Sequence, residues 1–197
     1  MNKKVIIGFV ILSASLFLVT SASFYLQATR NLALPVYGEV NDFRLKDVNG
    51  KELQLQDLRH KVWVVNFFFT TCSDICPMMT KNMAALHRSY KLVDDVAFVS
   101  VTVNPENDTT DALARYAKKY DADIAKWHFL TGSREDITNL MVRSFKLETM
   151  KEDIFHSPSF VLVDRRGRIR GYYDGSSTEE VQKLFRNIAV LLKEKHG

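Results

Sequence analysis

The chain has almost no cysteine: two in 197 residues, Cys72 and Cys76, lying four positions apart. That excludes a fold stapled together by several disulfides. A bridge between these two alone would close a very short loop, and short loops gain least from closure entropy, so a purely structural staple is a poor use of the pair. Acidic residues are missing from the start of the chain, with no Asp or Glu before Glu39, while Lys3, Lys4 and Arg30 are basic. Those three account for most of the net charge of +4; from residue 31 onward 24 basic side chains face 23 acidic ones. The charge balance therefore gives no ground for nucleic-acid binding. Internal repeats and low-complexity tracts are also absent, which leaves about 165 residues beyond the first thirty as one domain with its own core.

What is present at the N-terminus is one long apolar run. After Met1-Asn2-Lys3-Lys4 the sequence is uncharged to Thr29, and its most apolar part, Val5 to Leu26, is 22 residues long. At about 1.5 Å per residue this run reaches roughly 33 Å, the thickness of a bilayer core. Lys3 and Lys4 keep residues 1–4 cytoplasmic by the positive-inside rule. Ser21-Ala22-Ser23 offers a small-residue cleavage site of the signal-peptide kind. Apolar character continues past it through Phe24, Tyr25 and Leu26, which favours an uncleaved anchor over residues 5–26. The expected layout is a single-pass protein of the cell inner membrane, with a tether over 27–42 and a domain over 43–197 facing the periplasm.

Within that domain, Phe43-Arg44-Leu45-Lys46 and Glu52-Leu53-Gln54-Leu55 alternate around Asn49-Gly50 and predict a hairpin. Val62–Phe69 reads as a central strand, apolar on both faces. Pro77 opens a predicted helix to Val93, with Met79, Met83, Leu86 and Tyr90 at helical spacing. Val96–Val103 predicts a strand, and Asp108-Thr109-Thr110 the start of a helix to Tyr120. Trp127–Leu130 is a short strand, and Ser133 with Asp136 begins a helix through Phe145. Phe160–Asp164 and Ile169–Tyr173 flank Arg165-Arg166-Gly167 as a second hairpin, and a last helix runs from Ser177 or Thr178 to about Glu194. Alternating β and α units argue for an α/β sheet covered by helices. Cysteines at the end of the first buried strand make a thioredoxin-like fold with an N-terminal β-hairpin the expected architecture.

The run Thr71-Cys72-Ser73-Asp74-Ile75-Cys76-Pro77 thus places two thiols at the mouth of a helix, where free N–H groups and the helix dipole favour thiolate. Outside the cytoplasm such a pair can cycle as a dithiol/disulfide couple or hold a soft metal ion. Of the five histidines, His60 and His196 sit among charged residues, His87 and His128 suit packing, and His156 lies in a loop just before the strand at Phe160. A thioredoxin-like sheet brings that strand start beside the cysteine loop, so His156 stands between an ordinary loop residue and a third ligand. Met78 and Met79 offer thioethers but suit core filling better.

Cys-x-x-x-Cys-Pro after an apolar strand, Asn104-Pro105-Glu106-Asn107-Asp108-Thr109 after the next, and a late His156 before Phe160-Val161-Leu162-Val163-Asp164-Arg165-Arg166-Gly167 resemble the Sco/SenC family over about residues 35–195. The resemblance implies a membrane-anchored, thioredoxin-fold copper protein that assists assembly of the binuclear copper centre of cytochrome c oxidase. It implies Cys72, Cys76 and His156 as metal ligands, Cu(I) and Cu(II) as cargo, and the copper-site subunit of the oxidase as partner, with other copper carriers or thiol reductases as further ones. Three positions depart from the family pattern: Ser73 replaces a usual proline, Asn104 an aspartate, and Phe155 a frequent acidic residue, with Asp153 close by. The chemistry agrees, since two thiolates and an imidazole satisfy Cu(I), whereas a closed structural zinc site usually has a fourth protein ligand.

Two other readings use the same cysteines. An extracytoplasmic thiol:disulfide oxidoreductase would reduce a partner's cysteines, and Pro158, just before a strand, matches the place of the cis-proline of thioredoxin-like reductases. A thiol peroxidase would need an activated cysteine with a threonine and an arginine nearby; Thr70 and Thr71 are available, but no arginine is evidently placed.

Overall fold

The structure is a computed structural model, and it describes residues 17–21, 34–147 and 158–194. The chain divides into two compact units, residues 1–34 and 35–197. In the first, the described residues 17–21 are helical. The expected anchor lies mostly outside the described residues, among which no helix is long and apolar enough to cross a membrane.

The second unit is a mixed eight-stranded sheet. Its strands are β1 (Gly38–Glu39), β2 (Arg44–Asp47), β3 (Glu52–Gln54), β4 (Val62–Phe68), β5 (Val96–Thr102), β6 (Trp127–Thr131), β7 (Ser159–Val163) and β8 (Arg168–Asp174), in the spatial order β1-β8-β7-β4-β5-β6-β2-β3. β4, β5 and β6 are parallel, and β7 and β8 run antiparallel beside β4. The block β8-β7-β4-β5 is the thioredoxin-like core that the order of elements predicts. Helices α1 (Leu55–Leu58), α2 (Cys76–Ser89), α3 (Thr110–Lys119), α4 (Arg134–Asn139) and α5 (Thr178–Lys193) connect and cover it.

The period of two along each strand divides the core into two layers. On one face Trp63, Val65 and Phe67 meet Ala97, Val99, Val101, Val161 and Val163, closed by Ile137, Leu140, Met141 and Phe145. On the other, Phe68 packs against the rings of Tyr116 and Phe129 at 5.1 and 6.0 Å. Each fully buried Val, Leu or Phe contributes about 1.5–3 kcal/mol, so a β4 with all seven residues buried is the spine of the domain.

The structure departs from the sequence expectations in several places. Leu55, expected in the second strand of the first hairpin, instead begins the one-turn helix α1. Pairing begins ahead of Phe43, because Gly38 and Glu39 lie opposite Ile169 and Arg168. α2 stops at Ser89, and Tyr90 turns aside to donate its hydroxyl to the Phe185 carbonyl at 2.7 Å. The helix expected to Phe145 changes to π pitch over Leu140–Ser144, which seats Phe145 edge-on against Trp63 and Phe67. α3 is capped by Thr109, whose hydroxyl accepts from the Ala112 amide, while Asp108 turns inward.

Candidate metal and dithiol site

The cysteine loop leaves the C-terminal end of β4. Phe69 follows the strand, Cys72 donates its amide to the Phe69 carbonyl at 3.3 Å, and Ser73 and Asp74 are exposed. Ile75 caps α2 with its carbonyl, taking the Met78 and Met79 amides at 3.1 Å, so Cys76 is the first helical residue and Pro77 stands where no amide is needed. Both thiols are free and buried, with Cys72 8 % and Cys76 4 % exposed. Cys72 stands near enough to Cys76 for its side chain to raise the Cys76 thiol.

The electrostatics differ from the expectation of ready thiolates. Burial pushes the Cys76 thiol up to about 12, the contact with Cys72 and the charge of Asp74 add to this, and a backbone hydrogen bond at Phe69 opposes it. Desolvation therefore outweighs the helix N-terminus at Cys76. A metal ion that binds here displaces the proton from a thiol, and the thiolate it creates is a strong, soft donor.

His156, the third residue singled out by the sequence, lies outside the described residues, as does Asp153. Its loop is described only from Pro158. Val161 of β7 lies opposite Val65 of β4 in antiparallel sense, so Ser159, where β7 starts, lies at the end of β4 that carries the cysteines. The Pro158 carbonyl accepts from the Gly175 amide, and the Gly175 carbonyl accepts from the Asn82 side chain on α2 at 2.7 Å. The described end of that loop is thus tied to the helix that Cys76 begins. Among the described residues no group of three metal-binding side chains occurs, and the two cysteines stand as a pair.

The remaining candidates separate clearly. Met79 is fully buried, as core filling requires, whereas Met78 is 52 % exposed and lies about 200° around α2 from Cys76, on another face of the helix. His87 is buried against Phe98 and Trp127, with ring centroids at 5.8 and 5.6 Å. His128 pairs through Nδ1 with the buried Asp47 at 2.9 Å. His60 is exposed. Of the two threonines available to a peroxidase, Thr70 spends its hydroxyl on Asp108 and Thr71 is exposed.

Asp108 is the residue that sequence reasoning missed. It is fully buried, and its carboxylate accepts the Thr70 amide at 3.0 Å together with the hydroxyls of Thr70 and Thr102. The sequence points to Asp108 only as part of a helix start and of the Asn104–Thr109 segment, and neither reading predicts a buried acceptor.

Fold and site together define a thioredoxin-like protein with a buried dithiol at a helix mouth. The SCO1/SenC family model matches residues 36–193, and the chain belongs to that family. It is 35 % identical over 147 residues to the SCO1 protein homolog of Bacillus subtilis strain 168, covering 72 % of this chain and 76 % of that protein. BsSco, described as a member of the Sco family of cytochrome c oxidase assembly proteins with a disulfide switch, superposes with a TM-score of 0.74 and 31 % identity, over 83 % of this chain and 99 % of its own. Arabidopsis thaliana ScoI, solved with copper bound, gives a TM-score of 0.67 at 28 % identity, over 80 % of this chain and all of its own.

Proposed function

We propose that this chain is a membrane-anchored copper carrier that delivers copper to, or prepares, the binuclear copper site of cytochrome c oxidase. The observation that carries this reading is the free, buried pair of Cys72 in the loop after β4 and Cys76 at the start of α2, in a chain of the SCO1/SenC family. Two sulfurs hold Cu(I) by softness, and His156 supplies the imidazole that completes the set and favours Cu(II). The partners are the copper-site subunit of the oxidase and the carriers or thiol reductases that load and reduce the pair. Val5–Leu26 anchors the chain in the inner membrane with the domain in the periplasm. The mass of the mature protein in the membrane fraction checks this, since a soluble product starting near Phe24 would overturn it.

A second reading rests on the same pair. Two free thiols four positions apart are also the resting state of a thiol:disulfide reductase, which attacks a partner disulfide through one thiolate and closes its own bridge. His156→Ala separates the two. A carrier with this change loses copper-dependent oxidase activity in cells while the purified protein still cycles its disulfide. Full oxidase activity in that strain at limiting copper would leave the reductase.

A further inference from the structure

Both cysteines are referenced to one helix that touches neither of them in sequence. Thr70 stands two residues before Cys72, with the exposed Thr71 between them, and its amide and hydroxyl are both held by Asp108. Asp108 stands two residues ahead of α3, next to its cap Thr109. At the other cysteine, the Cys76 carbonyl accepts the Thr80 hydroxyl at 2.8 Å, and Thr80 Oγ1 lies 2.8 Å from the Tyr116 hydroxyl in the middle of α3. Thr80, Tyr116 and Asp108 are all buried, so no water competes for these contacts. Between the two fixed points the loop has little else to hold it, since Ser73 and Asp74 are exposed and the Cys72 amide makes only a long turn contact.

We propose that α3, through Asp108 at one end and Tyr116 along its length, sets the separation of the two sulfurs, with Asp108 the principal positioning residue for copper and for disulfide closure. This rests on the reading of Cys72 and Cys76 as the copper and redox pair. The carboxylate is well matched to the task because it accepts from the backbone and the side chain of Thr70 at once, which fixes both the path and the rotation of the chain just before Cys72. The third acceptor contact, from Thr102 on β5, anchors the carboxylate itself and does not involve the loop.

That asymmetry supplies the test. In the full-length reduced chain, Thr70→Val deletes the hydroxyl bond on the loop side and Thr102→Val deletes one on the strand side. Each removes one hydroxyl from the same carboxylate, and Thr102→Val also takes the acceptor from the Asn104 amide, so the melting temperature of each variant is read beside its affinity. Cu(I) affinity, measured by competition with a chromogenic chelator, falls about 10-fold in Thr70→Val, at the low end of what is lost when groups that orient metal ligands are removed. It changes little in Thr102→Val. Tyr116→Phe gives a smaller loss, because Thr80 still reaches the Cys76 carbonyl. Asp108→Asn keeps most of the affinity, since an amide can accept the Thr70 amide and donate to its hydroxyl. The midpoint potential of the Cys72–Cys76 couple moves in the same order and needs no copper. If the wild-type chain binds no copper but Thr70→Val alone shifts the potential, the carrier reading falls and the positioning role stands. Equal losses in Thr70→Val and Thr102→Val, or no change in potential in Thr70→Val, would overturn the proposal.

Discussion

Two buried carboxylates sit at opposite ends of the same sheet and are held in opposite ways. Asp108, at the end where β4 and β5 finish, is satisfied by an amide and two hydroxyls, with no cation among its partners. Asp164, where β7 finishes beside the start of β4, accepts from Arg168 and Arg170 and from the Arg166 and Arg168 amides, which hold its carboxyl below the ordinary value against the cost of burial. Arg170 goes further: its guanidinium also grips both oxygens of Glu194 and donates to the Pro35 carbonyl at 3.1 Å, fastening the first and last parts of the domain together. The far end uses ion pairs as a structural lock. The cysteine end uses neutral donors, so the group that orders the loop brings no fixed positive charge to oppose an arriving copper ion.

The contrast predicts that damage at the cysteine end costs chemistry and damage at the far end costs stability. The largest effect is expected from Cys72→Ser or Cys76→Ser, which lose most copper binding by equilibrium titration yet unfold near the wild-type temperature; a serine variant that unfolds early but keeps its copper would break the comparison. Next comes Arg170→Met, which strands Asp164 and Glu194 and costs about 3 kcal/mol, the low end for a broken buried pair because Arg168 remains. For a domain this size that is roughly a 10 °C fall in melting temperature, with copper affinity unchanged while the chain is folded. His156→Ala is expected to weaken Cu(II) more than Cu(I), because two thiolates alone still retain the softer ion; equal Cu(II) binding in a direct titration would remove His156 from the site. The smallest effect concerns His87, whose Nε2 has no partner among the described residues. Burial lowers its proton affinity from the ordinary 6.5; Lys91, Arg88 and Lys126 add to this and Asp123 opposes it. The unfolded chain therefore takes up the proton first as pH falls. Stability is complete above 6.5 and declines below it by up to about 1.4 kcal/mol per pH unit, until the folded form protonates too. His87→Leu should flatten that slope in urea titrations between pH 5 and 7.

The strands, the two hairpins and the placing of the cysteines were legible because each rests on local pattern: period-two alternation, a turn glycine, a proline at a helix start. Gly50 and Gly167, at φ of 75° and 81°, occupy the turns their positions predicted. Asp108 and Arg170 were not legible, because what defines them is burial against residues as many as 38 and 135 positions away. The thiol chemistry was half legible. The helix mouth could be read from Pro77, but the degree of burial that outweighs it depends on packing that no local window contains. The π turn at Leu140–Ser144 escaped for a similar reason, since only the pocket between Trp63 and Phe67 asks for the extra residue.

The sheet also ends in a way that bears on recognition. Its two border strands are β1, of two residues, and β3, of three, and β1 covers only Arg168 and Ile169, so Arg170–Asp174 of β8 have no strand on their outer side among the described residues. Borders this short give a visiting strand almost nothing to zip onto at β1 and β3 themselves, and leave the outer side of β8 as the stretch where an extended peptide could add. The end of the sheet that carries Cys72 and Cys76 offers side chains and loops instead, and it is the one with cargo to exchange.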